Sequence, residues 1–187
     1  MPTIVLARHG KPVARPRRAI PGRALAAWVQ EGDLLPLDRT HRPPAELEQI
    51  ARTSPLIVAS TLRRSLESVA LLVPGYDPLV DPLFREVYRP TALRTGLRLP
   101  PAFWEGLTRL AWFAGWSPGV ESYRAARRRA VTAADRLVVL ARDHGSVLLV
   151  GHGFMDGLIA RRLRRTGWQG PRFRPRRFWA FSRYEHP

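Results

Sequence analysis

With 187 residues, the chain holds enough material for one domain with a proper core and little room for two. Its 45% hydrophobic content is ordinary for a globular fold, and the absence of cysteine excludes disulfides and cysteine-ligated metal sites. Lys and Arg total 31 against 15 Asp and Glu, a formal charge of +16, so the small-molecule partner to expect is an anion.

In chain order, Thr3–Ala7 reads as a short buried strand closed by Arg8-His9-Gly10. Residues 11–24, rich in Pro and Arg, read as a loop, and "RALAAWVQEG" as a helix stopped by Gly32. "PPAELEQIARTS" is predicted to be helical, with proline in its first turn, and "PLIVAS" to be a second buried strand. "STLRRSLESVALLV" is an amphipathic helix with Ser60 or Thr61 as N-cap and Leu62, Leu66, Val69 and Leu72 or Val73 as its apolar stripe.

Residues 74–119, rich in Pro, Gly and Trp, contain a candidate short strand in "YDPLVDPLF" and a helix in "PPAFWEGLTRLAWFAG". The aromatics Trp104, Trp112, Phe113 and Trp116 are expected in the core or in a small cap. A long helix ends at Gly145, "SVLLVGHG" is a third buried strand ending in His152, and "FMDGLIARRLRRTG" is the helix after it. "RRFWAFSRYE" is an edge-like final strand in which Phe178, Ala180 and Ser182 alternate against Trp179, Phe181 and Arg183. Strands alternating with helices predict an α/β fold, layered around a mostly parallel sheet. In such sheets functional groups gather beyond the carboxyl ends of the strands. The expected organisation is one domain over 1–187 with 74–119 as a small cap insertion.

Two arginines and two histidines stand where strands end. Arg8 carries a planar donor fork suited to phosphate oxygens, and Arg64 lies in the first turn of the helix behind the second strand. His9 and His152 close the first and third strands. Brought together, the four make a pocket for a dianionic phosphoryl group.

"LARHG", "ASTLRRSLES", "FRE" and "VGHG", in that order, resemble the histidine phosphatase superfamily, the phosphoglycerate-mutase-like proteins. The resemblance spans essentially the whole chain and implies a three-layer α/β/α sandwich. It implies His9 as the nucleophile, with a backbone carbonyl such as that of Gly10 fixing its tautomer. It further implies Arg8, Arg64 and His152 as phosphate ligands and Glu86 as the general acid and base, with His9, Glu86 and His152 as the catalytic set. No metal and no other cofactor is implied. Lys11-Pro12 after the triplet, Ser68-Val69 in place of Thr-Ala, one extra residue between Leu83 and Glu86, and "VYRPTALRTG" after the acid depart from the family pattern. These departures fall on the walls facing the substrate rather than on the phosphate pocket.

The expected activity is hydrolysis of phosphomonoesters on an anionic phosphorylated small molecule, through a phosphohistidine. Hydrolysis is favoured over mutase transfer because the stretch between Ser60 and His152 leaves room for only a modest cap. A phosphohistidine or phosphoprotein phosphatase, and a module that binds a phosphorylated ligand or RNA without turnover, are the alternatives.

Residues 160–181, "ARRLRRTGWQGPRFRPRRFWAF", interleave Arg with Trp and Phe as single-strand nucleic-acid binders do, although a plain Arg-covered surface is the simpler reading. Lys11, Arg15, Arg17 and Arg18 stand either at the pocket mouth or on a solvated loop. Asp156, near His152, completes no metal-ligand spacing. The start of the sequence has no basic segment before an apolar one, and no apolar run is long enough for a bilayer. A cytoplasmic protein without a membrane partner is therefore expected.

Overall fold

The structure is a computed structural model that describes residues 1–16, 18–172 and 177–186. Five strands form the main sheet: β1 (Thr3–Arg8), β3 (Ile57–Ala59), β4 (Leu79–Val80), β6 (Ser146–Gly151) and β7 (Phe181–Glu185), in the order β4-β3-β6-β1-β7. All pairings are parallel except β1 with β7. A two-residue strand β2 (Ile20–Pro21) pairs with β5 (Arg98–Leu99) outside this sheet.

Between their ends the central strands are apolar, because helices cover both faces. Alternate side chains sort into two cores. Ile4, Leu6, Val147 and Leu149 pack against α5 (Tyr123–His144) and α6 (Gly153–Arg165). Val5, Ala7, Leu148 and Val150 pack against α2 (Ala45–Thr53) and α3 (Arg63–Leu72). The result is the expected three-layer α/β/α sandwich. Helix α5 buries Ala126, Ala130, Ala133, Ala134 and Ala141, small residues that let its backbone lie close to the sheet. Ser122 caps it by accepting from the Ala125 amide, and Gly145 ends it at φ 80°, where a side chain would be strained.

Several boundaries differ from those the sequence predicts. Helix α1 (Leu25–Asp33) runs through Gly32 rather than stopping at it. Neither Ser60 nor Thr61 is the N-cap of α3; Leu62 holds that position, and the Ser60 hydroxyl is engaged elsewhere. The last strand begins at Phe181, three residues after Phe178, because Trp179 adopts φ 61° and breaks the extended run. It is an edge strand, as expected.

The segment 74–119 divides. Leu79–Val80 joins the sheet, and Phe84 and Val87 enter the core. The remainder forms β5 and α4 (Pro101–Phe113), which buries Trp104 and Trp112 but leaves Phe103 and Phe113 exposed, together with Trp116 beyond it. Among the described residues, no helix is long and apolar enough to cross a membrane.

Candidate active site

Sheet register brings the two histidines together. Arg8 is the register partner of Gly151, so His9 and His152, each the next residue, leave parallel strands side by side. Their ring centroids are 5.1 Å apart. On the other side of β6, Ala59 pairs with Val150, which sets Ser60 beside the same rim. The Ser60 hydroxyl lies 2.5 Å from Nε2 of His152 and accepts from the Leu62 amide at 3.2 Å.

Both ring nitrogens of His9 are engaged. Nδ1 lies 2.7 Å from the Gly10 carbonyl, which can only accept, so Nδ1 carries the proton. Nε2 is then left with a lone pair, and it accepts from Nε–H of Arg64 at 3.2 Å. Arg64 also donates from Nη1 to Asp33 at 2.5 Å, and the Tyr88 hydroxyl donates to the other Asp33 oxygen at 2.6 Å. His9 is 5% exposed, Arg64 9% and His152 0%, so this cluster sits almost out of water.

Three serines fasten the floor. Ser68 accepts from the Gly10 amide at 2.8 Å and donates to the Arg64 carbonyl at 2.5 Å. Ser65 accepts from the Ser60 amide at 3.1 Å and donates to the Val150 carbonyl. With Ser60, they tie the start of α3 to the ends of β1, β3 and β6.

Burial next to two guanidinium groups governs the electrostatics. Desolvation, reinforced by Arg64, lowers the His9 pKa from 6.5 to about 3, so the imidazole is neutral at pH 7. Desolvation and then His9 push His152 down as well. Desolvation lowers Arg8, partly offset by Glu86 and Asp156. Asp156 is pushed well up, by burial first and then by Glu86, and its fully buried carboxyl packs against Gly151.

Arg8 is partly exposed, with its guanidinium carbon 4.3 Å from the Phe178 ring centroid. The same ring lies 5.7 Å from that of His9. Arg8, Glu86, Gly153 and Phe154 line a cavity of about 300 Å³ at the N-terminus of α6. Glu86 accepts from the amides of Val87 at 2.8 Å and Met155 at 3.2 Å. Phe84, two positions before Glu86, is the fully buried apolar residue of this turn, and Leu83 is only partly buried.

The structure thus gathers Arg8, His9, Arg64 and His152 on one rim and sets Glu86 beside Arg8. Lys11 pairs with Asp38 at 3.4 Å and Arg15 with Glu31 at 2.8 Å, so these two cations are engaged by the neighbouring loop and α1. Arg17 and residues 173–176 of the Arg-aromatic stretch lie outside the described residues. Among the described residues, no group of three or more His, Asp or Glu is arranged to hold a metal ion, Asp156 included. The sequence reading missed Asp33, Tyr88 and Phe178. Only the polar positions within α3, Ser65 and Ser68 on an otherwise buried face, were visible as a signal.

Comparison with known proteins adds an independent line. The family model of the histidine phosphatase superfamily (branch 1) matches residues 4–178. No curated protein matches the chain in sequence. A solved mycobacterial protein, hydrolase 1, is similar at 26% identity and TM-score 0.59, over 88% of this chain and 79% of that one. The mycobacterial glucosyl-3-phosphoglycerate phosphatase, solved with VO3, shares the fold at 21% identity and TM-score 0.57, over 100% and 98% of the two chains. A phosphoserine phosphatase from Entamoeba histolytica shares it at 14% identity and TM-score 0.53, over 88% and 81%.

Proposed function

Because the chain belongs to the histidine phosphatase superfamily, we propose that it hydrolyses phosphomonoesters by way of a phosphohistidine formed on His9. The observation that carries this reading is the state of that ring: its proton is held on Nδ1 by the Gly10 carbonyl, and its Nε2 lone pair is available beside Arg64. A buried, neutral imidazole with a fixed tautomer is a nucleophile that needs no base to activate it.

In the first step Nε2 attacks phosphorus, a P–N bond forms and the P–O bond to the leaving group breaks. Glu86 serves as the general acid, giving a proton to the departing alkoxide. In the second step water attacks the phosphohistidine, Glu86 takes the water proton, the P–N bond breaks and inorganic phosphate is released. Arg8, Arg64 and His152 bind the equatorial oxygens, the arginines supplying the positive charge that the transition state needs. Nε–H of Arg64, which rests on the nucleophile in the free protein, passes to a phosphoryl oxygen when substrate enters.

The β2–β5 ribbon and α4 serve as the small cap over this pocket. Arg109 of α4 supports that reading: it donates to the Val87 carbonyl at 3.0 Å and lies 4.5 Å from the Phe154 ring centroid at the mouth. A small phosphorylated metabolite suits the site better than a phosphoprotein, since His9 and His152 lie beneath the surface. Phosphate release from a panel of phosphorylated metabolites tests the proposal. Wild-type protein is expected to release phosphate from at least one of them and His9→Ala protein from none; equal release by both contradicts it.

A further inference from the structure

Helix α6 carries one continuous face from the active site outward. Gly153 and Phe154 line the mouth cavity with Arg8 and Glu86. Gly157 lines that cavity too, and it also lines a larger one of about 550 Å³ whose other walls are Ala160, Arg161, Arg164, Arg165 and Arg172. Positions 153, 157, 161 and 164 or 165 are spaced three or four apart, which sets them in one row along the helix. Nothing lies within 4 Å of where a Gly157 Cβ would stand, so a bare shelf joins the two cavities.

The second cavity has an unbalanced charge. Among the described residues, no carboxylate pairs with Arg161, Arg164, Arg165 or Arg172, whereas Arg162, pointing elsewhere, reaches Asp135 at 3.4 Å. The α6 dipole accounts for cations in its last turn. It does not account for Arg161, a turn earlier, or for Arg172 beyond the helix end, converging on the same space.

We propose that this cavity is a second anion subsite of the active site, and that the substrate is a phosphomonoester bearing a further phosphate or diphosphate at its far end. The inference rests on the phosphatase reading above. At 1.5 Å rise per residue, Arg161 stands ~12 Å and Arg164 ~17 Å along the axis from Gly153, and helical side chains lean back toward the N-terminus. The two anionic groups are therefore separated by roughly 10–15 Å.

Three synthetic esters test this: octyl phosphate, octanediol bisphosphate, and the shorter propanediol bisphosphate. The wild-type protein is expected to show a kcat/KM for octanediol bisphosphate at least about tenfold above that for octyl phosphate, as charge-assisted guanidinium–phosphate contacts allow, with no such gain for the short ester. The ratio should fall to about one in an Arg161→Ala/Arg164→Ala/Arg165→Ala protein and should also fall in Gly157→Leu, which fills the shelf. A wild-type ratio near one, or a ratio that survives both variants, overturns the subsite. If no ester is hydrolysed, the phosphatase reading fails by itself. Calorimetric dissociation constants for the same esters then decide the subsite, by whether the preference for octanediol bisphosphate exists and is lost in the triple variant. Loss of single-stranded oligoribonucleotide binding in the triple variant, without any bisphosphate preference, would mark the face as a nucleic-acid site and also overturn the proposal.

Discussion

Arg64 hydrogen-bonds the imidazole of His9 through Nε and the carboxylate of Asp33 through Nη1, at 3.2 and 2.5 Å. One guanidinium thus spans the His9 ring and an acid at the end of α1, and that acid is held in turn by Tyr88. Lysine has no second donor at that angle. Arg64→Lys is expected to lower kcat/KM on the order of a hundredfold, the loss of one transition-state donor. Asp33→Asn keeps the shape but not the charge, and should cost roughly tenfold, chiefly in KM. Steady-state kinetics of the two variants checks both, and an Asp33→Asn loss confined to kcat would show that Asp33 does more than orient Arg64.

Acid should weaken the fold through the histidines. His9 has its pKa lowered from 6.5 to about 3, so between those values the unfolded chain binds a proton the folded one does not. Stability from this group is intact above pH 6.5 and falls as pH drops through that window, by about 2 kcal/mol at pH 5. His152, also lowered, acts in the same direction. Asp156, raised by burial, acts in the opposite one, binding in the folded state a proton that the unfolded chain loses above pH 3.8. The difference between wild-type protein and a His9 variant isolates the His9 share from the other two. Urea unfolding of wild-type and His9→Asn protein at pH 7 and pH 5 is expected to show the smaller loss in the variant.

The Ser60 hydroxyl is the bonding partner of His152 Nε2, and both residues are fully buried. Ser60→Ala should therefore destabilise the protein by about 1–3 kcal/mol, the cost of a buried polar group left unmet. Turnover should fall as well, because the ring loses its orientation. Denaturant midpoints and kcat measured on one preparation test both effects.

Two glycines at the strand ends have no room for a methyl group. A Cβ on Gly10 would strike the six-membered ring of Trp179, and one on Gly151 would strike the Asp156 carboxyl. Overpacking of this kind costs about 1–3 kcal/mol. Gly151→Ala is expected to be destabilised to that extent, while Gly151→Ala/Asp156→Ala recovers most of the loss. A melting-temperature series resolves the difference, and equal destabilisation of single and double variants would place the strain elsewhere.

What the sequence discloses and what it conceals follow one rule. His9, His152 and Arg64 are legible because each follows a compact apolar run whose end the chain itself marks: "LARHG", "LLVGHG" and Ser60-x-Leu62-x-Arg64. Asp33 is not, because its bond to Arg64 joins residues 31 apart in sequence and no local pattern announces it. Gly32 reads as a stop signal, yet α1 continues one residue past it. The Phe178–Phe181 alternation imitates a strand, while a single left-handed residue, Trp179, ends the pattern and turns the Phe178 ring onto Arg8 and His9.

The most direct test of the central claim is a rapid acid-free quench during turnover of a radiolabelled phosphomonoester, followed by peptide mapping. The account predicts a phosphoryl label that survives base, is lost in acid, and resides on His9. A turning-over enzyme with the label on another residue, or a His9→Ala protein that still hydrolyses the ester at the wild-type rate, would contradict it.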